Sequence, residues 1–130
     1  MMEEVVAGLR LSAVLFFALI PHPSLADGDA AKGEGVFQNR CVECHAVTGD
    51  QVKIGPPLTG LFGRVSGSWP GFAYSDAMKA AGIVWGAETL TQYLPNPRAM
   101  VPKTKMNFNG LKRPGEVEDL IAYLAAATTN

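Results

Sequence analysis

Residues 40–47 of the sequence read RCVECHAV, and this stretch holds both cysteines of the 130-residue chain. Two residues separate Cys41 from Cys44, and His45 follows directly. Thiols at this spacing occur in disulfides, in metal sites with thiolate ligands, and at points of covalent haem attachment. The rest of the chain decides between these possibilities.

The haem interpretation is the one that uses every residue of the motif. A structural disulfide across two residues closes a very small loop and adds little entropic stabilisation. A zinc site needs four ligands, and a thioredoxin-like dithiol expects a βαβ context that the sequence lacks. In a haem site each thiol adds across a vinyl group, and the following histidine becomes the proximal iron ligand. We therefore predict one haem c, held by two thioether bonds to Cys41 and Cys44, with His45 on the iron.

The first residues have most features of an export signal. Residues 11–20 (LSAVLFFALI) are almost entirely apolar, and Ser24 and Ala26 are small residues at the positions that a signal peptidase reads. The acidic Glu3 and Glu4 are atypical of such a signal. A ten-residue helix spans about 15 Å, half of a bilayer core, which disfavours a permanent membrane anchor. We expect cleavage after Ala26.

The predicted organisation is a signal peptide, residues 1–26, followed by one domain, residues 27–130. The leader carries one of the 11 basic and two of the 12 acidic side chains, so its removal leaves equal numbers of each. A balanced charge gives no electrostatic reason to bind nucleic acid or an anionic membrane. A domain of this size buries only about two-thirds of its unfolded surface, so an apolar cofactor would add considerably to its core.

Helix signals are separated by long irregular stretches. Asp29 opens a helix that ends near the cysteines, Ser75 caps a short helix that Gly82 ends, and residues 88–94 form another short helix. Residues 46–74 and 98–111 are rich in glycine or proline and are predicted to be loops. Loops of that length are uncommon in a compact domain unless something else, such as a bound cofactor, organises them. The expected fold is all-α, with three to five helices and long loops wrapped around one haem.

The last helix has a clear start and a clear buried face. Pro114 is predicted at its first position, since proline needs no donor there. An apolar stripe then recurs at i, i+3, i+4 and i+7, formed by Val117, Leu120, Ile121 and Leu124.

Methionine is the residue type left to bind the other face of the iron, because His45 is the one histidine remaining after the leader. Met78 falls in the short helix, where a methionine is usually core filler. Met100 and Met106 both fall in the loop before the last helix. The setting between Pro102 and Gly110 favours Met106, but these residues alone leave both open.

Seven segments of the chain resemble one family in their order and spacing. They are GEGVF (33–37), CVECH (41–45), IGPPLTGLFGR (54–64), PGFAYSDA (70–77), GIVW (82–85), TKMNF (104–108) and EDLIAYL (118–124). From about residue 29 to residue 126 the chain resembles the class I c-type cytochromes, the monohaem proteins of mitochondria and of the bacterial periplasm. We expect the bacterial periplasmic kind because of the leader.

The resemblance implies a role for each remaining site residue. It implies Met106 as the sixth iron ligand and the Pro56 carbonyl as acceptor for the ring N–H of His45. It implies that the haem propionates are surrounded by Arg64, Tyr74, Ser75 and Trp85. It implies that Tyr93 and Thr104 lie near the methionine sulfur, and that Gly33 allows the first and last helices to cross closely. Two residues depart from the family pattern: Lys103 stands where relatives usually have glycine, and Met78 where many have a polar residue.

The function implied is that of a soluble monomeric carrier of single electrons, not an enzyme. Its partners would be membrane-bound donor and acceptor complexes of a respiratory or photosynthetic chain, met by transient docking in the periplasm. One alternative is a haem peroxidase-like enzyme, which would need an open position on the iron. The other is a thiol–disulfide oxidoreductase, which would keep both thiols titratable.

Overall fold

The computed structural model describes residues 28–129, so the predicted signal peptide lies outside the described residues. The described chain contains the helices α1 (Ala30–Arg40), α2 (Asp76–Ala80), α3 (Ala87–Tyr93), α4 (Pro97–Met100) and α5 (Glu116–Ala127). Within residues 28–129 the β-type pairing is limited to an isolated antiparallel bridge between Val65 and Val84. The predicted all-α fold is confirmed.

The first two helices begin where the sequence predicts, because a side chain caps the start of each. The Asp29 carboxylate accepts hydrogen bonds from the backbone N–H groups of Ala31 at 2.9 Å and Lys32 at 3.2 Å. The Ser75 hydroxyl accepts one from the N–H of Met78 at 3.0 Å. Both caps satisfy donors that the first turn of a helix leaves free.

Two local predictions are wrong. The stretch predicted as loop from residue 98 contains α4, because Asn96 caps the N–H of Ala99 and Pro97 supplies the preset φ of a first turn. Pro114 does not begin the last helix. Gly115, at φ 82°, is its N-cap, and α5 starts one residue later.

The first and last helices cross at Gly33. A Cβ built there would collide with the backbone carbonyl of Asp119, so only glycine permits this separation. Phe37 is buried beside the crossing and meets Tyr123, with ring centroids 5.6 Å apart. The N–H of Asp29 donates to the Asp119 carboxylate at 2.7 Å. The predicted close crossing is therefore present.

The apolar stripe of α5 faces the interior, as expected from its spacing. Val117, Leu120, Ile121 and Leu124 are all buried. Long loops between α1 and α2 and between α4 and α5 complete the enclosure of a cavity beside this stripe. Among residues 28–129, none of the helices combines the length and apolar character needed to cross a bilayer.

Candidate cofactor site

One cavity of about 250 Å³ lies between α1, α5 and the long loops. Its lining is mainly apolar and includes Phe37, Leu61, Leu120 and Leu124. All the predicted site residues lie on its wall, namely Cys41, Cys44, His45, Pro56, Arg64, Tyr74, Ser75, Trp85, Tyr93, Thr104 and Met106. Residues up to 65 positions apart in sequence therefore share one site (Cys41 to Met106).

The two thiols are carried by a tight turn at the end of α1. The N–H of Cys44 bonds the Cys41 carbonyl at 3.1 Å, and the N–H of His45 bonds the same carbonyl at 2.9 Å. Burial raises the pKa of the Cys41 thiol to about 11, and the nearby Arg40 charge offsets only part of this effect. A dithiol catalyst needs a thiol with a lowered pKa. The environment of Cys41 thus counts against a thiol–disulfide oxidoreductase.

The His45 ring is fixed in orientation and kept neutral. Its Nδ1 lies 2.7 Å from the Pro56 carbonyl oxygen, which can only accept, so Nδ1 carries the proton and Nε2 keeps a free lone pair. Burial lowers the pKa of His45, with the Arg64 and Lys53 charges acting in the same direction and the Pro56 hydrogen bond opposing them. A neutral imidazole held through its second nitrogen is the form that ligates a metal.

Gly55 makes this arrangement possible. A Cβ at position 55 would lie 2.9 Å from His45 Nδ1, too close for a real contact. The N–H of Gly55 also bonds the Cys44 carbonyl at 2.9 Å, which ties the loop to the thiol turn. No separate role was predicted for Gly55, although its place next to Pro56 in IGPP was a usable signal.

The Met106 thioether is held by its neighbours on the cavity wall. The Tyr93 hydroxyl donates to Met106 Sδ at 3.1 Å, and Thr104 Oγ1 accepts from the N–H of Met106 at 3.2 Å. Burial raises the pKa of Tyr93 to about 12, partly offset by its hydrogen bond with Thr104, so the hydroxyl stays a donor at neutral pH. Met100 packs against the core and is absent from the cavity wall.

The four residues predicted to surround the propionates all lie on the cavity wall. Arg64 Nη1 donates to the carbonyls of Pro57 at 2.9 Å and Thr59 at 3.2 Å. Trp85 is buried and packs edge-on against Tyr93, with centroids 4.8 Å apart. Ser75 lies on the wall, but its hydroxyl also serves as the α2 cap.

Trp69 is a neighbour of the site that sequence reasoning missed. The Arg64 guanidinium lies 5.1 Å from the centroid of the Trp69 ring, within cation–π range. The backbone N–H of Trp69 donates to the Tyr74 hydroxyl at 3.2 Å, which leaves the Tyr74 proton free to donate elsewhere. A tryptophan within a glycine- and proline-rich loop was the available signal.

The structure shows the setting of both residues that depart from the family pattern. Met78 lies on the cavity wall, beside the polar group formed by Tyr74 and Ser75. Lys103 has φ 66°, the left-handed conformation that glycine adopts freely.

The donor set fits a haem c. It comprises two thiols on one turn, a neutral imidazole, a thioether, a mainly apolar wall for the macrocycle and polar donors on the same wall.

Comparison with known proteins gives consistent matches. The family model described as Cytochrome c matches residues 30–128. The chain is 55% identical over 102 residues to a cytochrome c of the alga Chlamydomonas reinhardtii, covering 78% of this chain and 91% of that protein. It is 50% identical over 103 residues to a cytochrome c of the plant Stellaria longipes, covering 78% and 95%. It is also 50% identical over 102 residues to a cytochrome c of the fungus Cochliobolus lunatus, covering 78% and 94%.

These relatives correct the expected location. They come from an alga, a plant and a fungus, which are eukaryotes and have no periplasm. The prediction of a bacterial periplasmic protein is therefore wrong. It rested on the leader, and the motifs of the folded domain do not distinguish the periplasmic kind from the mitochondrial kind.

Proposed function

The chain belongs to the cytochrome c family, whose members carry a covalent haem c and transfer electrons, and from this premise we propose a detailed role for its residues. In this proposal the protein shuttles single electrons between membrane-bound donor and acceptor complexes of a respiratory or photosynthetic chain. It acts as a monomer and catalyses no reaction of its own.

In this proposal Cys41 and Cys44 hold the haem, and His45 and Met106 bind its iron. When bound, the haem supplies a one-electron couple between ferric and ferrous iron. Pro56 fixes the His45 ring by accepting its Nδ1 proton, and Tyr93 orients the thioether by donating to Met106 Sδ. A thioether ligand favours the ferrous state and raises the reduction potential.

The observation that carries the proposal is the presence of His45 and Met106 on the wall of the same cavity. If both residues ligate the iron, the bound haem would keep no open position for a small substrate. This supports electron transfer over the peroxidase-like alternative, which requires one open position.

The edge of the cavity suits brief docking. Ile54 lies on the cavity wall, yet its residue surface is 77% exposed, so the cavity reaches the protein surface there. Lys105 lies on the same wall, and Lys53 precedes Ile54 with its ammonium donating to the Val42 carbonyl at 2.8 Å. An apolar edge beside positive charges favours a small transient interface with an acidic partner surface.

The test is the visible spectrum of protein made with haem-attachment machinery, before and after denaturation. We expect the pigment to remain with the chain through organic extraction, and Cys41→Ala/Cys44→Ala to lose it. We also expect the reduced native protein to refuse carbon monoxide at neutral pH. Pigment that extracts freely would refute covalent attachment, and ready carbon monoxide binding would favour the enzyme.

A further inference from the structure

The segment that carries Met106 is held in place mainly by side chains. We call residues 104–110 the Met106 loop. It contains no helix or strand, and its own backbone hydrogen bonds are few: the N–H of Thr104 bonds the Val101 carbonyl at 3.2 Å and that of Phe108 bonds the Met106 carbonyl at 3.1 Å. Other contacts must therefore fix the thioether.

Arg98 makes two of those contacts, one on either side of Phe108. Its Nη2 donates to the Asn107 amide oxygen at 3.1 Å, and its Nη1 donates to the Asn109 amide oxygen at 3.2 Å. Asn107 directly follows Met106 in the chain. A single planar guanidinium thus joins two points of the loop, which a lysine ammonium cannot reproduce in the same fixed geometry.

The helix that carries Arg98 is itself well anchored. Arg98 lies in α4, whose Pro97 is fully buried and whose first turn is capped by Asn96. The N–H of Val101, the C-cap that follows α4, bonds the Pro97 carbonyl at 2.9 Å. The loop is therefore tied to an element that packs into the core.

Two weaker contacts approach the loop from other directions. The Arg40 guanidinium lies 5.4 Å from the Phe108 ring centroid, and Lys105 Nζ donates to the Ala73 carbonyl at 3.1 Å. Neither spans two residues of the loop. Arg98 is consequently the side chain whose loss would free the largest part of it.

We propose that Arg98 is a positioning residue that keeps Met106 on the iron by clamping the Met106 loop to α4. The inference rests on the proposed function, in which Met106 is the sixth ligand. In the clamped loop an external ligand has to displace both the thioether and the two Arg98 hydrogen bonds. Without Arg98 the ligand has to displace the thioether and the remaining contacts of the loop, which are the Tyr93 hydrogen bond to Met106 and the contacts of Lys105 and Phe108. The clamp thus controls access of small molecules to the iron.

The first experiment titrates imidazole into the ferric haem-loaded protein and follows the visible spectrum. Imidazole replaces the thioether on the iron, so its apparent affinity reports how easily the Met106 loop opens. We expect Arg98→Ala to bind imidazole about tenfold more tightly than the unmodified protein, the factor that two partly exposed charged hydrogen bonds can supply. Arg98→Lys should fall between the two.

Arg113→Ala is the matched control. Arg113 is exposed, and its replacement by alanine removes the same charge as Arg98→Ala does. Among residues 28–129, no hydrogen bond involves the Arg113 side chain, whereas Arg98 makes two. We expect its imidazole affinity to equal that of the unmodified protein. An Arg98→Ala affinity within twofold of the unmodified value, or an equal gain in Arg113→Ala, would overturn the clamp.

A double-mutant comparison checks the mechanism. Asn109→Ala removes one of the two acceptors, so alone it should raise the imidazole affinity by a few-fold. In the Arg98→Ala background it should add nothing, because its partner is already gone. Fully additive effects would mean that Arg98 and Asn109 act independently, and would refute the proposal.

The failure of the clamp and the failure of the proposed function give different results. If Met106 is not a ligand, the unmodified ferric protein will lack the methionine–iron charge-transfer band. If only the clamp is wrong, that band will be present and the variants will behave like the unmodified protein. The far-UV circular dichroism of each variant shows that it has folded.

Discussion

At the residue scale, Lys103 combines an ordinary side chain with a backbone that suits glycine. Its φ of 66° is the one left-handed value found outside glycine among residues 28–129. A Cβ in this conformation crowds the following carbonyl and costs about 1 kcal/mol. The strain lies three residues before Met106, so the turn that delivers the thioether is less stable than it needs to be.

Replacing Lys103 by glycine should relieve that strain. We expect Lys103→Gly to raise the free energy of unfolding by up to about 0.5 kcal/mol, because relief of about 1 kcal/mol of strain is partly offset by the greater freedom of glycine in the unfolded chain. Chemical denaturation of the haem-loaded protein measures the change. Lys103→Ala removes the same charge but keeps a Cβ, so it should give no gain. If the alanine variant is stabilised as much as the glycine variant, backbone strain is not the cause.

Single residues with local signals were the most predictable part of the site. The spacing of Cys41, Cys44 and His45 belongs to one continuous stretch, and the Asp29 and Ser75 caps act within three residues. The stacking of Arg64 on Trp69 and the clamp of Arg98 join residues through tertiary folding. No periodicity or motif marks such pairs.

At the element scale, the crossing of α1 and α5 depends on the missing side chain at Gly33. A Cβ there would collide with the Asp119 carbonyl and would lie 2.8 Å from Tyr123 Cβ. The first of these atoms belongs to a helix backbone and cannot rotate away. The two helices would therefore have to separate, which would also disturb Phe37 and the cavity behind it.

Gly33→Ala should be destabilising in spite of the better helix propensity of alanine. We expect a loss of about 2–3 kcal/mol in the free energy of unfolding, the range for overpacking against an unyielding neighbour. Gly35→Ala is the control, because position 35 lies on the exposed side of α1 with no atom within 4 Å of the added Cβ. That variant should gain up to about 1 kcal/mol. Similar values for the two variants in thermal and denaturant unfolding would contradict the close-crossing argument.

The last helix was predictable from spacing and the first two from their capping residues, whereas α4 was not predicted. The α5 stripe repeats over two turns, which gives a strong signal. Helix α4 has only four residues and no repeat to detect, so most of it fell within the loop predicted over residues 98–111. Pro114 was misplaced because Gly115 offered no sequence sign that it would serve as the cap.

At the scale of the whole molecule, the cofactor should act as a large part of the core. The cavity is bordered by α1, α5 and the loops, and its wall includes Phe37, Leu120 and Leu124. Without haem these side chains lose a large apolar partner. A chain of this size has little other buried surface to compensate.

We therefore expect the chain made without haem to be largely unfolded at 25 °C. Binding a group only in the native state shifts the folding equilibrium toward that state, and removing it reverses the shift. The helical signal in far-UV circular dichroism should fall to a minor fraction of that of the haem-loaded protein at the same concentration. A cooperative thermal transition at an unchanged midpoint in the haem-free chain would show that the polypeptide folds without its cofactor.

The contact between α1 and α5 also sets the order of events in biosynthesis. The N–H of Asp29 and the carboxylate of Asp119 meet although 90 positions separate them in sequence. A ribosome releases the two cysteines long before it releases the helix that closes over them. Until then the thiols remain on an open polypeptide, accessible to the machinery that joins pigment to protein. Maturation can therefore precede folding, and the finished tertiary structure then covers the linkage in part.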